Sequence, residues 1–339
     1  MILNGLKKCM MQKIKDLNAL NIVKLGQRTM LENNVFSVSW FLGRFCNYDC
    51  SYCWPYAKSK VVDHRPLLQY IRTMDEIKSQ ARAHGFDKFH FSFSGGEPTA
   101  YKGLIDLLKA YKEPVSNYLS LHMTTNASPG FNWWNKWLTA TDGLDRKSIT
   151  ASYHAEFSNE KEFAGKLVFL QEQGVLVTIN QVMVPDRFDE YYERAQRFKD
   201  QGLHVTLKPQ SNESASDIVD GYSFEQWEIL QNEMEQEINQ LALYDKEGKE
   251  YTLDQAERLN AYQFNKFKGW MCNAGYQSCI IREPGGEIKR GYSCHDEPLG
   301  TVEEGFTLFK EPRLCITPTC VSSADSKIPK ELVDEIVER

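Results

Sequence analysis

The 339-residue chain is predicted to be an α/β protein built on a parallel sheet. Three observations predict it. Six runs rich in β-branched and aromatic residues alternate with helical stretches between residues 35 and 215. Three of those helices stop at a glycine, namely Gly85, Gly174 and Gly202. The residues with unusual chemistry fall at the carboxyl ends of strands, where such folds carry their active groups.

Residues 1–34 show no strong period and read as an N-terminal extension. Val35 to Leu42 reads as a strand and runs straight into a cysteine-bearing loop. Leu67 to His84 reads as a helix, and Lys88 to Phe93 as the next strand, capped by Gly95-Gly96-Glu97-Pro98. Leu104 to Tyr111 is helical and Leu119 to Thr125 a strand. Phe131 to Leu138 is helical, with Trp133, Trp134 and Trp137 read as core residues. Strands over Ser148–Tyr153, Val175–Val184 and His204–Pro209 alternate with helices over Glu160–Gln173 and Asp189–Gln201. Six such units fit a partial (β/α)6 TIM-like barrel over residues 35–215, although periodicity alone does not separate it from an open doubly wound sheet. Residues 216–269 are charged and read as a helical connector. Residues 270–325 accumulate cysteine, glycine and proline and form a small C-terminal domain, and 326–339 read as a closing helix.

Hydrophobic content of 42% and charged content of 25% are ordinary for a globular protein. A net charge of −6 without a basic run argues against a nucleic-acid substrate. No stretch approaches the ~18 apolar residues of a membrane span. Four lysines near the start (Lys7, Lys8, Lys13, Lys15) lack a following apolar segment, so no signal peptide is expected and the chain is placed in the cytoplasm. Nine cysteines in a reducing compartment read as metal ligands rather than disulfides.

Cys46, Cys50 and Cys53 form a C-x3-C-x2-C loop. Three thiolates on one loop can hold three irons of a 4Fe–4S cube and leave the fourth open for chemistry. A zinc site completed by His64, or a redox cysteine pair, is the alternative. With the aromatic Tyr52 before the last cysteine, and Ser94-Gly95-Gly96-Glu97-Pro98 about forty residues on, the chain resembles the radical S-adenosylmethionine (SAM) superfamily over roughly residues 35–215. The resemblance implies a catalytic 4Fe–4S cluster, SAM as the second cofactor, and reductive cleavage of SAM to a 5′-deoxyadenosyl radical that abstracts hydrogen from substrate. It also implies SAM contacts from Tyr52, Gly95, Gly96, Glu97, Pro98, Thr125, Asn126 and Ser152, and an electron donor such as flavodoxin or ferredoxin. Thr124 and His154 sit at the same strand ends, Asn180 is a candidate near the adenine, and Lys208 and Gln210 follow the last strand. No residue is assigned to the catalytic step itself.

Five cysteines remain near the C-terminus: Cys272, Cys279, Cys294, Cys315 and Cys320, with Gly285-Gly286 before Cys294. This looks like the SPASM/twitch extension of the same superfamily, over about 270–320, and implies one auxiliary 4Fe–4S cluster. It departs from that pattern in the glycine spacing, Gly286 lying eight residues before Cys294, and in the shortened tail. Cys272 and Cys294 are the firmest ligands; Cys279, Cys315 and Cys320 compete for two places, and a four-thiolate zinc is the alternative. The expected activity is oxidation of a small polar metabolite with electron transfer through the auxiliary cluster. A maturase acting on a ribosomally made peptide is the second reading, and a non-catalytic iron–sulfur or zinc protein the third.

Overall fold

Large apolar and small polar residues alternate along the strands, and the period of two sends them to opposite faces. After β1 (Ile22–Gln27) and α1 (Arg28–Asn33), the chain enters β2 (Phe36–Phe41) and, past α2 (Leu67–Ala83), β3 (Lys88–Ser94). Phe36, Val38 and Trp40 of β2 and Phe89, Phe91 and Phe93 of β3 are completely buried under the helices. Ser37, Ser39, His90 and Ser92 point the other way, into a lumen. The structure, a computed structural model, describes residues 20–213, 218–232, 241–253, 256, 259, 260, 262–296 and 298–333.

The alternation continues through α3 (Leu104–Tyr111), β4 (Tyr118–Thr125), α4 (Phe131–Ala140), β5 (Arg146–Tyr153), α5 (Glu160–Glu172), β6 (Leu176–Met183), α6 (Phe188–Asp200) and β7 (His204–Pro209). Strands β2 to β7 lie side by side in chain order and pair in parallel, as right-handed crossovers require. This is a mixed α/β fold with a mostly parallel sheet, consistent with a partial TIM-like barrel. In α2, Tyr70, Thr73, Met74, Ile77, Lys78 and Ala81 are buried, the three-and-four spacing of a core-facing stripe. Buried Lys78 donates from Nζ to the carbonyls of Tyr111 and Glu113, pinning α2 to the end of α3. Trp134 and Trp137 are fully buried core residues with edge-on ring contacts, in line with the core reading.

The regions outside the barrel differ from expectation. The supposed extension supplies β1, which pairs antiparallel with β8 (Leu241–Asp245) and with β16 (Lys330–Leu332). The supposed helical connector holds α7 (Phe224–Asn232), then turns into the hairpin of β8 and β9 (Glu250–Leu253). Of the expected closing helix over 326–339, the described part after α8 (Ser323–Ser326) carries the strand β16 instead. These strands join β10 (Trp270–Cys272) and β15 (Arg313–Leu314) in a six-stranded antiparallel sheet with its own core around Leu25, Leu243, Leu259 and Phe267. Short strands paired across more than 200 residues leave no local period to read. Residues 1–19, including Cys9 and the four lysines, the 233–240 part of the connector and residues 334–339 lie outside the described residues.

The C-terminal segment also enters the main sheet. Strand β11 (Ser278–Arg282) pairs in parallel with β2, and β12 (Glu287–Lys289), β13 (Gly300–Thr301) and β14 (Gly305–Phe306) extend the edge antiparallel. Arg65 pins the β11–β12 turn, donating from Nε to Glu283 at 2.5 Å, from Nη2 to the Pro284 carbonyl at 3.1 Å, and from Nη1 to Glu303.

Candidate active site

The loop after β2 is stapled by groups outside it. The Asp63 carboxylate accepts from the Arg44 and Phe45 amides at 2.9–3.0 Å. The Cys46 amide donates to the Ser59 carbonyl, and the Ser59 amide to that of Arg44. Lys58 Nζ donates to the Cys50 carbonyl at 2.8 Å, and Lys60 Nζ to the Tyr48 carbonyl at 2.7 Å. The cysteine loop is thereby shaped without a disulfide; the eight described cysteines are free. Burial raises all three thiols, that of Cys50 to about 12. His64 does not complete a metal site: its ring packs against Phe45 and Tyr101.

The glycine motif docks onto this loop backbone to backbone. The Gly96 amide donates to the Gly43 carbonyl at 2.7 Å and the Glu97 amide to that of Phe45 at 2.8 Å. A Cβ on Gly96 would sit 2.2 Å from the Arg44 carbonyl oxygen, and one on Gly95, at φ +146°, 2.5 Å from that of Gly43. The missing side chains are thus required by the contact between the two motifs.

Glu97 ties the next strand end to the same assembly. Its Oε1 accepts from the Thr99 amide and hydroxyl and from Thr125 Oγ1 at 2.6–2.9 Å; its Oε2 accepts from the Asn126 amide at 2.6 Å. Burial raises the carboxyl's pKa, and these four donors oppose the rise. Asn126 Nδ2 donates in turn to Asn47 Oδ1 at 2.9 Å, inside the cysteine loop. Glu97 is therefore a hub joining three strand ends, with one lone pair of Oε2 left for a ligand.

These strand ends surround a cavity of about 860 Å³, within the size range of small-molecule sites. Cys46, Cys50 and Cys53 line it, as do Gly95, Gly96, Glu97, Thr125, Asn126 and Ser152 of the expected SAM contacts. Tyr52 and Pro98 are not among its lining residues. Tyr52 turns its hydroxyl to His154 Nδ1 at 2.9 Å and stacks on that imidazole, and Pro98 is buried at the start of a short turn. His154 lines the cavity, its Nδ1 3.2 Å from Cys50 Sγ, and burial lowers its pKa to about 4. Asn180 lies lower, in the lumen; Lys208 and Gln210 line neither cavity.

Sequence reasoning missed Trp54, Tyr56, Lys58, Arg282 and Tyr292 in the cavity wall. The first three follow the last cysteine of the motif directly, which was a usable signal. Arg282 and Tyr292 arrive from the C-terminal segment, and nothing local announces them. The donor set suits a four-iron cube with SAM: three thiols open onto one ligand-sized cavity beside two glycines that present no side chain to it.

The structure sorts the C-terminal cysteines. Cys272, Cys294, Cys315 and Cys320 line one small cleft with Arg290, Asp325 and Lys330. Cys279 is not with them and is corrected out of the ligand set. It stands in register with Val38 of β2, so it faces the main core, where burial alone raises its thiol. Asp325 holds the segment before Cys294, accepting from the Tyr292 and Ser293 amides at 3.0 and 2.5 Å. Arg290 is 3% exposed; its Nη1 pairs with Asp296 at 2.6 Å, while Nε and Nη2 are buried without a hydrogen-bond partner among the described residues. Its cation feels Cys272 and Cys294. Orphaned donors on a buried cation beside four thiols suit an anionic thiolate cluster. Among the described residues no three His, Cys, Asp or Glu groups converge as one metal ion requires.

No helix of the described residues is long and apolar enough to cross a membrane. No curated protein matches the sequence. Among solved structures, the chain is similar to Streptococcus suis SuiB at 14% identity and TM-score 0.47, over 81% of this chain and 66% of that one, just under two thirds of its length. It is also similar to a polyhistidine-tagged anSMEcpe with bound AdoMet at 14% identity and TM-score 0.44, over 80% and 79%. Likeness at this level says nothing about substrate. The sequence profile described as the Radical SAM superfamily matches residues 40–239, which runs from the end of β2 past α7 and takes in every residue of the cysteine loop and glycine motif; the chain belongs to the radical SAM superfamily.

Proposed function

We propose that this radical SAM enzyme abstracts hydrogen from a small polar substrate for a net two-electron oxidation, in which an auxiliary 4Fe–4S cluster would accept the second electron and solvent the proton. Cys46, Cys50 and Cys53 would hold the catalytic cube, which would supply the electron for reductive cleavage of SAM. Gly95, Gly96 and the free lone pair of Glu97 receive the methionyl end of SAM, and Ser152 and Asn126 stand at its nucleoside end. The stapled loop and the strand-end hub keep these groups in place before cofactor arrives, so little ordering is left for the binding step.

The observation that carries the oxidative reading is the four-thiol cleft with Arg290. Cys272, Cys294, Cys315 and Cys320 hold the auxiliary cube, and Arg290 balances its charge. The segment Gly291–Cys294 runs from that cleft to Tyr292 in the catalytic cavity wall, giving a short covalent route between the two sites. A flavodoxin or ferredoxin supplies the first electron.

Anaerobic reconstitution should give about eight irons per chain, two cubes of four. Cys272→Ala with Cys294→Ala should roughly halve that number, preserve uncoupled SAM cleavage and abolish oxidation of substrate. About four irons in the unaltered chain, with zinc in the cleft, would refute the auxiliary cluster. Turnover of a peptide in preference to any metabolite would move the assignment to a maturase.

A further inference from the structure

The interior of a parallel barrel is ordinarily filled by layers of branched aliphatic side chains. Here it is not. The register stacks Ser37, His90, Ser120 and Arg146 in one layer, and Ser39, Ser92, His122 and Ser148 in the next. Thr124, Thr150 and Thr178 form a third, towards the catalytic cavity. Together they leave a lumen of about 360 Å³. Hydroxyls and imidazoles in that position forgo the packing that aliphatic residues would supply, and they call for a polar occupant.

The two imidazoles are each held by a serine hydroxyl: His90 Nδ1 lies 2.8 Å from Ser120 Oγ and His122 Nδ1 2.9 Å from Ser148 Oγ. Burial keeps them neutral, and the nearby charges of Arg146 and Lys327 act in the same direction. Those two cations line the lumen, and neither is without a partner in the protein. Among the described residues that line it, none is acidic.

The lumen and the catalytic cavity share Ser94, Thr124 and Tyr292 in their walls, so the two adjoin at that level of the barrel. From Thr124 at the neck to Ser120 at the level of Arg146 is four residues of strand, or ~13 Å.

We propose that the lumen receives the anionic tail of the substrate, a small polar molecule with a phosphate or carboxylate group roughly 13 Å from the carbon that reacts beside the catalytic cluster. Arg146 and Lys327 take the oxyanion, and the serine, threonine and imidazole layers take the hydroxyl or amide groups of the body. This deepens the metabolite reading above and rests on it. A chamber of 360 Å³ admits a small molecule or at most a chain end, and not a folded peptide.

The test uses the full reconstituted chain with three probe anions: inorganic phosphate, glucose 6-phosphate and glutarate, with glucose as the neutral control. Binding is followed by calorimetry, and uncoupled SAM cleavage is measured in the same preparations. At least one extended anion should bind the unaltered chain ten times or more tightly than the Arg146→Gln, Lys327→Gln double variant, and should change the rate of SAM cleavage. Ser148→Leu, which fills the chamber without altering its charge, should cause the same loss, and thermal unfolding of both variants checks that they fold. The phosphate and carboxylate arms identify the group preferred. Equal affinity in all three proteins, or no binding of any anion to a chain that cleaves SAM, overturns the chamber and leaves the superfamily chemistry standing. Anion binding that never alters SAM cleavage overturns its role as a substrate tail. Failure of the unaltered chain to cleave SAM strikes the proposed function instead.

Discussion

The two thiol sites are built in opposite ways. Cys46, Cys50 and Cys53 occupy one loop, shaped by Asp63, Lys58 and Lys60 and clasped by the glycine motif. Cys272, Cys294, Cys315 and Cys320 come from separate segments spread over 49 residues, three of them in the core of the antiparallel sheet. The first site is local and is stapled by hydrogen bonds from its own neighbourhood and from the glycine motif. The second depends on long-range pairing, with a buried Arg290 whose Nε and Nη2 lack partners among the described residues. Metal should therefore matter little to the fold at the first site and a good deal at the second, where binding energy is also folding energy.

The sharpest way to break that comparison is to empty each site separately. Cys46→Ala, Cys50→Ala and Cys53→Ala together should abolish SAM cleavage and leave the melting temperature of the C-terminal sheet almost unchanged. Emptying the second site should do the reverse, lowering that temperature while sparing cleavage. Equal destabilisation from both, measured by thermal unfolding, would remove the distinction. Cys279→Ala belongs with neither and should leave the iron content unchanged.

Glu97 tests how far the first site depends on its clasp. Its four donors make Glu97→Ala more than the loss of a ligand contact. SAM affinity should fall by ten- to a hundredfold, the ~1.5–3 kcal/mol of a lost charge-assisted bond. The hub reading adds that cluster retention should fall with it, because the link through Asn126 to Asn47 loosens. Weakened SAM binding with the cluster fully retained would return Glu97 to a ligand role alone.

The smallest effect expected near neutral pH comes from the lumen between the sites. The folded pKa of His122 is lowered from 6.5 to about 4 by burial, with Lys327 and Arg146 adding to it. His90 shifts the same way, with His122 as a further neighbour. The unfolded chain therefore binds protons that the folded chain does not, and stability falls as pH drops from 6.5 towards 4. His122 accounts for about 3 kcal/mol of that loss when complete, at 1.36 kcal/mol per pH unit. His122→Asn should flatten the acid limb of a stability-against-pH curve, and an unchanged limb would show that the imidazole is solvated.

The barrel and the first site were legible because their information is local. Alternating strands, glycine stops and a three-cysteine spacing all lie within short windows, and the observed helix and strand limits fall within a few residues of those read from the sequence. The antiparallel sheet was not legible, since β1 finds β8 and β16 only through the folded chain. Counting cysteines placed Cys279 among the candidate ligands, but its register with Val38 turns it towards the opposite face. Lining by Tyr52 was expected from its position in the motif; its stacking on His154 draws it away.

The floor of the barrel has its own lesson about assembly. Gln27, Thr29 and Met30 reach the lumen from one side, and Ser323, Ala324 and Lys327 from the other, stitched together where the Gln27 amide donates to the Lys327 carbonyl at 2.7 Å. Those two pieces are 300 residues apart in sequence, while all the strands of the cylinder lie between them. The base therefore cannot close until Lys327 has been made, after the strands of the cylinder and after Arg282 and Tyr292 have joined the catalytic cavity wall. The base is also braced by Asp325 against the Cys294 segment, so the closure of the barrel floor and the placing of that cysteine depend on one carboxylate.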